Sequence, residues 1–542
     1  MEALGRSDAG LSNANPKLNT AVETYESKDK PSGVCVWPWI LIALILLLAA
    51  RLRTWQLGRE SFWLDEVFSV ESAMGRGFAH RLLPTNTLIE RVPAFTDPAR
   101  AAPWWNIWPA CRGKTGDIHP PLPYILLRWW CDLFGFSDAA VRSFSAMCSV
   151  AAIGLLFFIG RELHGVGVAL WACLLMAVAS PQIQYAQEAK HYALLQAIAL
   201  ASCLALVRIE KRGASARRLI GLGTGVLALL FTHYLSIAPI AAMGLYAILR
   251  LRGDVRKRVM LAFILAGTFF SVAWGPTMLA QLKDGAGEAD YFVDGGSGYL
   301  VRELQRLVSL PYRFLNEPLP NAESASYFMS VICLLPLLMV RRRPELLIWA
   351  IWVPLVILTV LLIDLARHSW LLSLIRYTLV AAPGVYLVLS AIGSGLRPAL
   401  RHVLPLMCVG SCLVSLPGAY SQHKSNVRGM ARALMSVAKP GDVTVYCSIW
   451  RPKQNVYHYF IATSFYARPM PGPVVLMDHA PDFALLSQLR ARGKVWVIAD
   501  SDELQEFLPG ARIDTVRYFP NDGCLLMASW PALTASSPPA DH

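Results

Sequence analysis

Val36-Trp-Pro-Trp-Ile-Leu-Ile-Ala-Leu-Ile-Leu-Leu-Leu-Ala-Ala-Arg-Leu-Arg53 is an apolar run long enough to span a bilayer, and it is followed closely by Ser61-Phe-Trp-Leu-Asp-Glu66. A spanning helix needs about 20 mostly apolar residues. The run therefore makes the bilayer the solvent of this chain. It also sets two adjacent carboxylates, Asp65 and Glu66, at the membrane surface. Ionisable groups near membrane depth are costly and mark sites.

The rest of the composition agrees. Of 542 residues, 55% are apolar and only 16% are charged, against about 25% charged in a soluble domain. Apolar segments recur at 139–160, 166–181, 191–208, 218–233, 235–250, 259–280, 324–340, 346–364, 376–394 and 402–418. With the first, they predict a polytopic α-helical membrane protein of about 11 spans. The net charge of +13 suggests nucleic acid at first sight. The Lys and Arg residues, however, lie in short loops such as 208–218, 250–258, 341–343 and 397–401. That placement is the positive-inside pattern of cytoplasmic loops and argues against a nucleic-acid partner.

The domain reading follows. Residues 1–33 are a polar, disordered cytoplasmic tail. Residues 34–420 form the transmembrane domain, with a large first outer loop at 54–138. Residues 421–532 change character, with buried-strand patterns at Gly441–Cys447 and Gly493–Asp500. A helix is expected at Asp502–Phe507, and a last hairpin around Pro520-Asn-Asp-Gly. This is a small C-terminal α/β domain outside the membrane, ending in a disordered tail at 533–542. Eleven cysteines lie mostly in apolar runs as buried small side chains. Cys447 and Cys524 share the C-terminal region and could pair in an oxidising compartment.

Several polar groups gather on the face expected to be outer. Asp65 could act as a general base for a hydroxyl, or as an N-cap of the helix that follows. In Gln184-Tyr-Ala-Gln-Glu188-Ala-Lys190-His-Tyr192, helical spacing would put Gln184, Glu188, His191 and Tyr192 on one face. Lys190 could hold a lipid phosphate, or snorkel beside Glu188. His119, before Pro120-Pro121, could bind a phosphate or cap an interfacial helix. His233 reads by default as structural. Arg376-Tyr377 could clamp a phosphate or anchor a span at the interface.

Taken in order, Phe62–Glu66, His119-Pro-Pro-Leu122, Phe134-Gly135 with Arg142, Ser180-Pro181, Tyr185–Tyr192 and Thr232-His-Tyr234 resemble the polyprenyl-phosphate-sugar-dependent glycosyltransferases of the C-type superfamily. The nearer relatives are the protein O-mannosyltransferases and the lipid A aminoarabinose transferases. The resemblance covers roughly residues 36–395. It implies an inverting transfer of a sugar from polyprenyl phosphate to an acceptor hydroxyl, which would be a glycan, lipid or protein. Asp65 would be the base and Glu66 its catalytic neighbour. His119, Glu188, Lys190, Tyr192, Arg376 and Tyr377 would serve the donor and its phosphate. Lys190 stands where many relatives carry Arg. Some relatives use a divalent cation (Mg, Mn or Zn). No Cys/His cage is apparent in the sequence, so Asp65 and Glu188 are the metal candidates. A bacterial inner membrane is implied, with the N-terminus cytoplasmic and the C-terminal domain periplasmic. A secondary transporter or an envelope glycan-binding scaffold are the rival readings. Ionisable residues collected at one face, without repeats, disfavour transport.

Overall fold

The computed structural model describes residues 36–530, apart from 94, 96, 114–118, 289–292, 294–295, 317–342, 395–396, 399, 422–424, 450–451 and 521, and apart from the side chains of 284–288 and 452–454. The two tails and the segment 324–340 lie outside the described residues.

A helical bundle forms the first part. Its helices are α1 (Trp37–Thr54), α2 (Leu64–Ala73), α3 (Ile107–Arg112), α4 (Leu122–Phe134), α5 (Asp138–His164), α6 (Val166–Val178), α7 (Ser180–Ala186), α8 (Tyr192–Arg212), α9 (Ala216–Leu230), α10 (Ile237–Arg250), α11 (Gly253–Glu288), α12 (Tyr299–Arg313), α13 (Leu347–Arg367), α14 (Ala382–Ser394) and α15 (Val403–Ser421). Six are long and apolar enough to cross a membrane, or seven if the bent pair α6–α7 is one span. The expected eleven are not reached among the described residues. Helices are present at 216–230, 237–250 and 382–394, but they have only 15, 14 and 13 residues. At 1.5 Å per residue they extend about 20–23 Å, short of a ~30 Å hydrocarbon core.

The segment expected as one span at 166–181 is bent by 61° between α6 and α7. Pro181 opens α7, where its missing N–H costs nothing. The break leaves orphan carbonyls at the end of α6. Arg53, fully buried on α1, donates to Met176 O at 2.9 Å and Ala177 O at 3.0 Å, and its Nε donates to Ser149 at 2.8 Å. A cation at a helix C-terminus also meets the negative end of the helix dipole. One side chain thus holds the bend that swings α7 and the following turn across the end of the bundle.

The predicted interfacial helix is α4. Its Arg128 and Asp132 pair at 2.7 Å, and Gly135 ends it at φ 88°, a conformation that favours glycine.

The C-terminal region adds α16 (Val427–Val437), α17 (Pro452–Tyr466), α18 (Phe483–Ala491) and strands β2 (Thr444–Cys447), β3 (Val474–Met477), β4 (Lys494–Ala499), β5 (Arg512–Phe519) and β6 (Gly523–Ser529). With β1 (Leu88–Ile89) the sheet order is β1-β3-β2-β4-β6-β5, with β3, β2 and β4 parallel and β4-β6-β5 antiparallel. The expected strands and final hairpin are present. The expected helix at 502–507 is not; that stretch is turns, with Leu504 and Leu508 fixed in the core. Cys447 and Cys524 are both free and buried. Strand β4 separates their strands, so they do not form the pair considered above.

The sheet is completed from the first loop. Strand β1 (Leu88–Ile89) adds antiparallel to β3. A second tie runs through α5, where Asp138 pairs with Arg428 at 3.0 Å and accepts from Tyr466 at 2.9 Å. First loop and C-terminal region are thereby built together over the same end of the bundle.

Candidate active site

Helix α2 begins directly after Trp63. Its start is organised by Glu66 rather than by Asp65: the Trp63 N–H donates to Glu66 Oε2 at 3.2 Å. Asp65 sits in the first turn, where a carboxylate favours the helix dipole. Glu66 is fully buried. Arg142 of α5 holds it bidentately, Nε to Oε1 at 2.7 Å and Nη2 to Oε2 at 2.6 Å. The same guanidinium donates to the carbonyls of Leu57, Glu60 and Ser61. Glu66 Oε1 also accepts the Ala189 N–H at 2.8 Å. Both oxygens are therefore engaged, and the pair ties the entry to α2 to the turn that carries Glu188 and Lys190.

That turn is not a helix. α7 stops at Ala186 and α8 starts at Tyr192, so the expected single helical face through Gln184, Glu188, His191 and Tyr192 does not exist. The side chains converge by another route. Arg376, on a short helical turn before α14, lies 3.2 Å from Asp65 Oδ2 and 3.5 Å from the Tyr377 hydroxyl. Its guanidinium lies over the Trp63 and Tyr377 rings. Burial would lower the Arg376 pKa, but Tyr192, Tyr377, Asp65 and Glu188 around it more than offset this and raise it. Burial also pushes the Tyr377 phenol up, so it stays protonated and able to donate. Asp65, Glu188, Tyr192, Arg376 and Tyr377, separated widely in sequence, thus share one locus. Arg376 Nε and Trp63 Nε1 are buried there with no hydrogen-bond partner among the described residues.

A second cluster adjoins the first. His119, His191 and His233 bring ring nitrogens within 4.8 Å of one another, with ring centroids 4.6–5.0 Å apart. This corrects the expectation that no such cage exists. It also corrects the default for His233, which is not a lone histidine. Their motifs are about 40 to 110 residues apart in sequence, so no local spacing could reveal the cluster; three histidines each at a loop–helix junction on one face was the available signal. Burial lowers the His191 pKa, reinforced by His233, His119, Lys190 and Arg376, so this imidazole is neutral. Lys190 is buried and lines a small cavity together with Pro123 and Tyr124 of α4 and Phe144 of α5.

The three histidines resemble a metal site only in part. His233 Nδ1 accepts the Leu235 N–H at 3.0 Å. In the neutral ring the proton is then on Nε2, so neither nitrogen offers a free lone pair. A metal-ligating histidine does the reverse, donating its other N–H outward. Asp65 and Glu188, the carboxylates expected to hold a metal, both face the Arg376 cation, where a divalent ion would meet like charge. The residues therefore fit an anion better than a metal ion.

Between α4 and α9 runs an apolar groove of about 260 Å³, lined by Trp108, Pro121, Leu122, Ile125, Leu227 and Phe231, with Thr224 and Ala228; Pro121 and Phe231 are each two residues from a histidine of the cluster, His119 and His233.

Residues 118–275, which carry the His119, Glu188, Lys190 and His233 motifs, match the family model described as dolichyl-phosphate-mannose-protein mannosyltransferase. The chain is similar in structure to ArnT from Cupriavidus metallidurans in the apo state, with TM-score 0.51 and 12% identity, over 91% of this chain and 97% of that one. ArnT bound to undecaprenyl phosphate aligns at TM-score 0.44 and 13% identity, over 92% and 99%. The apo oligosaccharyltransferase of Archaeoglobus fulgidus aligns at TM-score 0.48 and 12% identity, over 82% of this chain and 65% of that one. No curated protein matches the chain.

Proposed function

We propose that the protein transfers a sugar from a polyprenyl-phosphate donor to an acceptor hydroxyl, with inversion, at the end of the bundle that carries the C-terminal region. The observation that carries this reading is the 3.2 Å approach of Arg376 to Asp65, beside Glu188, Tyr192 and Tyr377 and next to the histidine cluster. The matched family description names a dolichyl-phosphate sugar donor, which supports the donor class.

The chemistry assigns roles. The acceptor oxygen bonds to the anomeric carbon as the bond from that carbon to the phosphate oxygen breaks. Asp65 takes the hydroxyl proton, and the pair of electrons leaves on the polyprenyl phosphate. Phosphate is a good leaving group, so the protein's task is positioning and charge stabilisation. Arg376, Lys190 and the N–H groups of His119 and His233 would hold the phosphate, with Tyr377 and Tyr192 alongside. The apolar groove at Trp108 and Phe231 would take the first isoprene units. Glu66 acts as a positioning residue, holding α2 through Arg142. The histidines serve as hydrogen-bond donors, not as a metal cage. The basic segments Lys211–Arg218 and Arg250–Arg258 lie at the bundle end opposite the site. By the positive-inside rule that end is cytoplasmic and the site faces outward, in a bacterial inner membrane.

The test is direct. Purified protein in lipid nanodiscs is given undecaprenyl-phosphate-linked sugars together with a membrane extract from cells lacking the protein. Sugar incorporation into the extract, with release of undecaprenyl phosphate, supports the reading. Donor that remains intact across the panel contradicts it.

A further inference from the structure

Helix α17 of the C-terminal region runs alongside α2 in the opposite direction. Its last residue, Tyr466, accepts the Phe62 N–H at 2.6 Å, and Phe465 packs edge-on against the Phe62 ring at 5.3 Å. Two turns upstream, His458 packs edge-on against Phe68 at 5.5 Å. His458, Ala462 and Phe465 are spaced i, i+4, i+7 and so share the face of α17 turned toward α2. On α2, Asp65 and Phe68 are three apart and share the facing side. His458 is thereby brought within electrostatic reach of the Asp65 carboxylate.

Asp65 consequently has two sets of neighbours. Arg376, Glu188, Tyr192 and Tyr377 make up the first. His458 reaches it from α17, with His80 and Arg81 of the first loop nearby. Arg376, which holds the donor phosphate in the transfer reading, belongs to the first set, and His458 is the hydrogen-bonding side chain that the C-terminal region adds for the incoming nucleophile. We propose that His458 is a positioning residue of the acceptor subsite, hydrogen-bonding the acceptor hydroxyl so that its proton faces Asp65. This rests on the transfer reading given above. Burial lowers the His458 pKa to about 4, so near neutral pH the ring is uncharged and can accept or donate a hydrogen bond. It is also half-buried rather than sealed, as a group that meets an arriving substrate must be. On this account the C-terminal region is part of the site and not an appended module.

The experiment uses the full chain in nanodiscs, with undecaprenyl-phosphate-linked mannose and arabinofuranose as donor probes and the membrane extract as acceptor. Two quantities are followed: transfer as a function of extract concentration, and donor cleavage by water without extract. His458→Ala is expected to raise the apparent acceptor KM about tenfold, the scale of one lost hydrogen bond, while donor KM and donor cleavage stay as in the wild type. His458→Gln, which keeps a hydrogen-bonding group, is expected to recover most of the loss. An unchanged acceptor KM in His458→Ala overturns the proposal, and so does an equal loss of donor cleavage in both variants. If the wild type transfers neither sugar and cleaves neither donor, the transfer reading fails and this inference falls with it. A wild type that transfers normally alongside an unaffected His458→Ala sinks the acceptor role alone.

Discussion

Arg376 and Asp65 are 311 positions apart in the chain, yet the guanidinium Nη1 lies 3.2 Å from the carboxylate. That pair joins the first loop to the turn before α14 and sets the charge balance of the site. Hydrogen bonds to charged groups contribute about 1.5–3 kcal/mol, which corresponds to roughly 10–150-fold in affinity. Arg376→Gln should weaken undecaprenyl phosphate binding within that range, read by isothermal titration or a tritiated-lipid filter assay. Arg376→Lys should not restore it, because an ammonium cannot reproduce the planar fork over Trp63 and Tyr377. Equal binding by wild type and Arg376→Gln would remove this residue from the donor side.

Glu66 and Arg142 form a buried pair whose side chains are 0% and 5% exposed. Removing one partner leaves the other charged, buried and unbalanced, which costs about 3–5 kcal/mol. Glu66→Ala should therefore lower the unfolding temperature of the purified protein well beyond what Asp65→Ala does, since the Asp65 side chain is 28% exposed. Similar melting temperatures for the two variants would argue that Glu66 does not organise the site.

Acid should loosen the C-terminal region. His458 in the folded protein titrates near 4, against 6.5 for the free side chain. Between those values the unfolded chain binds a proton that folded His458 does not. Stability is thus fully present above about pH 6.5 and falls as pH drops toward 4. His458→Gln should flatten part of that slope in thermal melts taken from pH 7 to 4.5; an unchanged slope would show that other groups dominate.

Metal chelation should have little effect on turnover. His233 spends its Nδ1 lone pair on the Leu235 N–H, and the candidate carboxylates face Arg376. Protein dialysed against EDTA should keep its activity, and elemental analysis should find no stoichiometric zinc or manganese. Activity that disappears on chelation and returns with one metal ion would reverse the assignment of the histidines.

Much of this arrangement is legible in the residues, and the illegible parts share a cause. Six of the eleven expected spans, or seven with the bent pair, declare themselves by length and hydropathy, and Asp65, Glu188, Tyr192, Arg376 and Tyr377 stand out because charged and phenolic groups at helix ends are few. Their meeting around one guanidinium depends on tertiary packing. The bend after α6 is hidden because Val166–Pro181 reads as a continuous apolar run, and its stabiliser, Arg53, looks like an ordinary interface arginine until the carbonyls of Met176 and Ala177 are seen to need donors. The histidine cluster and the α17–α2 contact join motifs far apart in the chain, for which one sequence gives no pairing signal. Strand β1 is two residues long and exists only because β3 offers an edge. The region 502–507 does not extend into a helix because it makes a single turn, Leu508 N–H to Leu504 O at 2.8 Å, before Pro509-Gly510 stops any regular continuation.

The central claim is that the Asp65 carboxylate accepts the acceptor's proton. Sugar transfer by Asp65→Asn, measured in nanodiscs beside the wild type with matched protein content and matched undecaprenyl phosphate binding, tests it most directly. The account predicts a fall of about 10²-fold or more, the usual scale for a lost general base, with donor binding retained. Turnover equal to the wild type would contradict it.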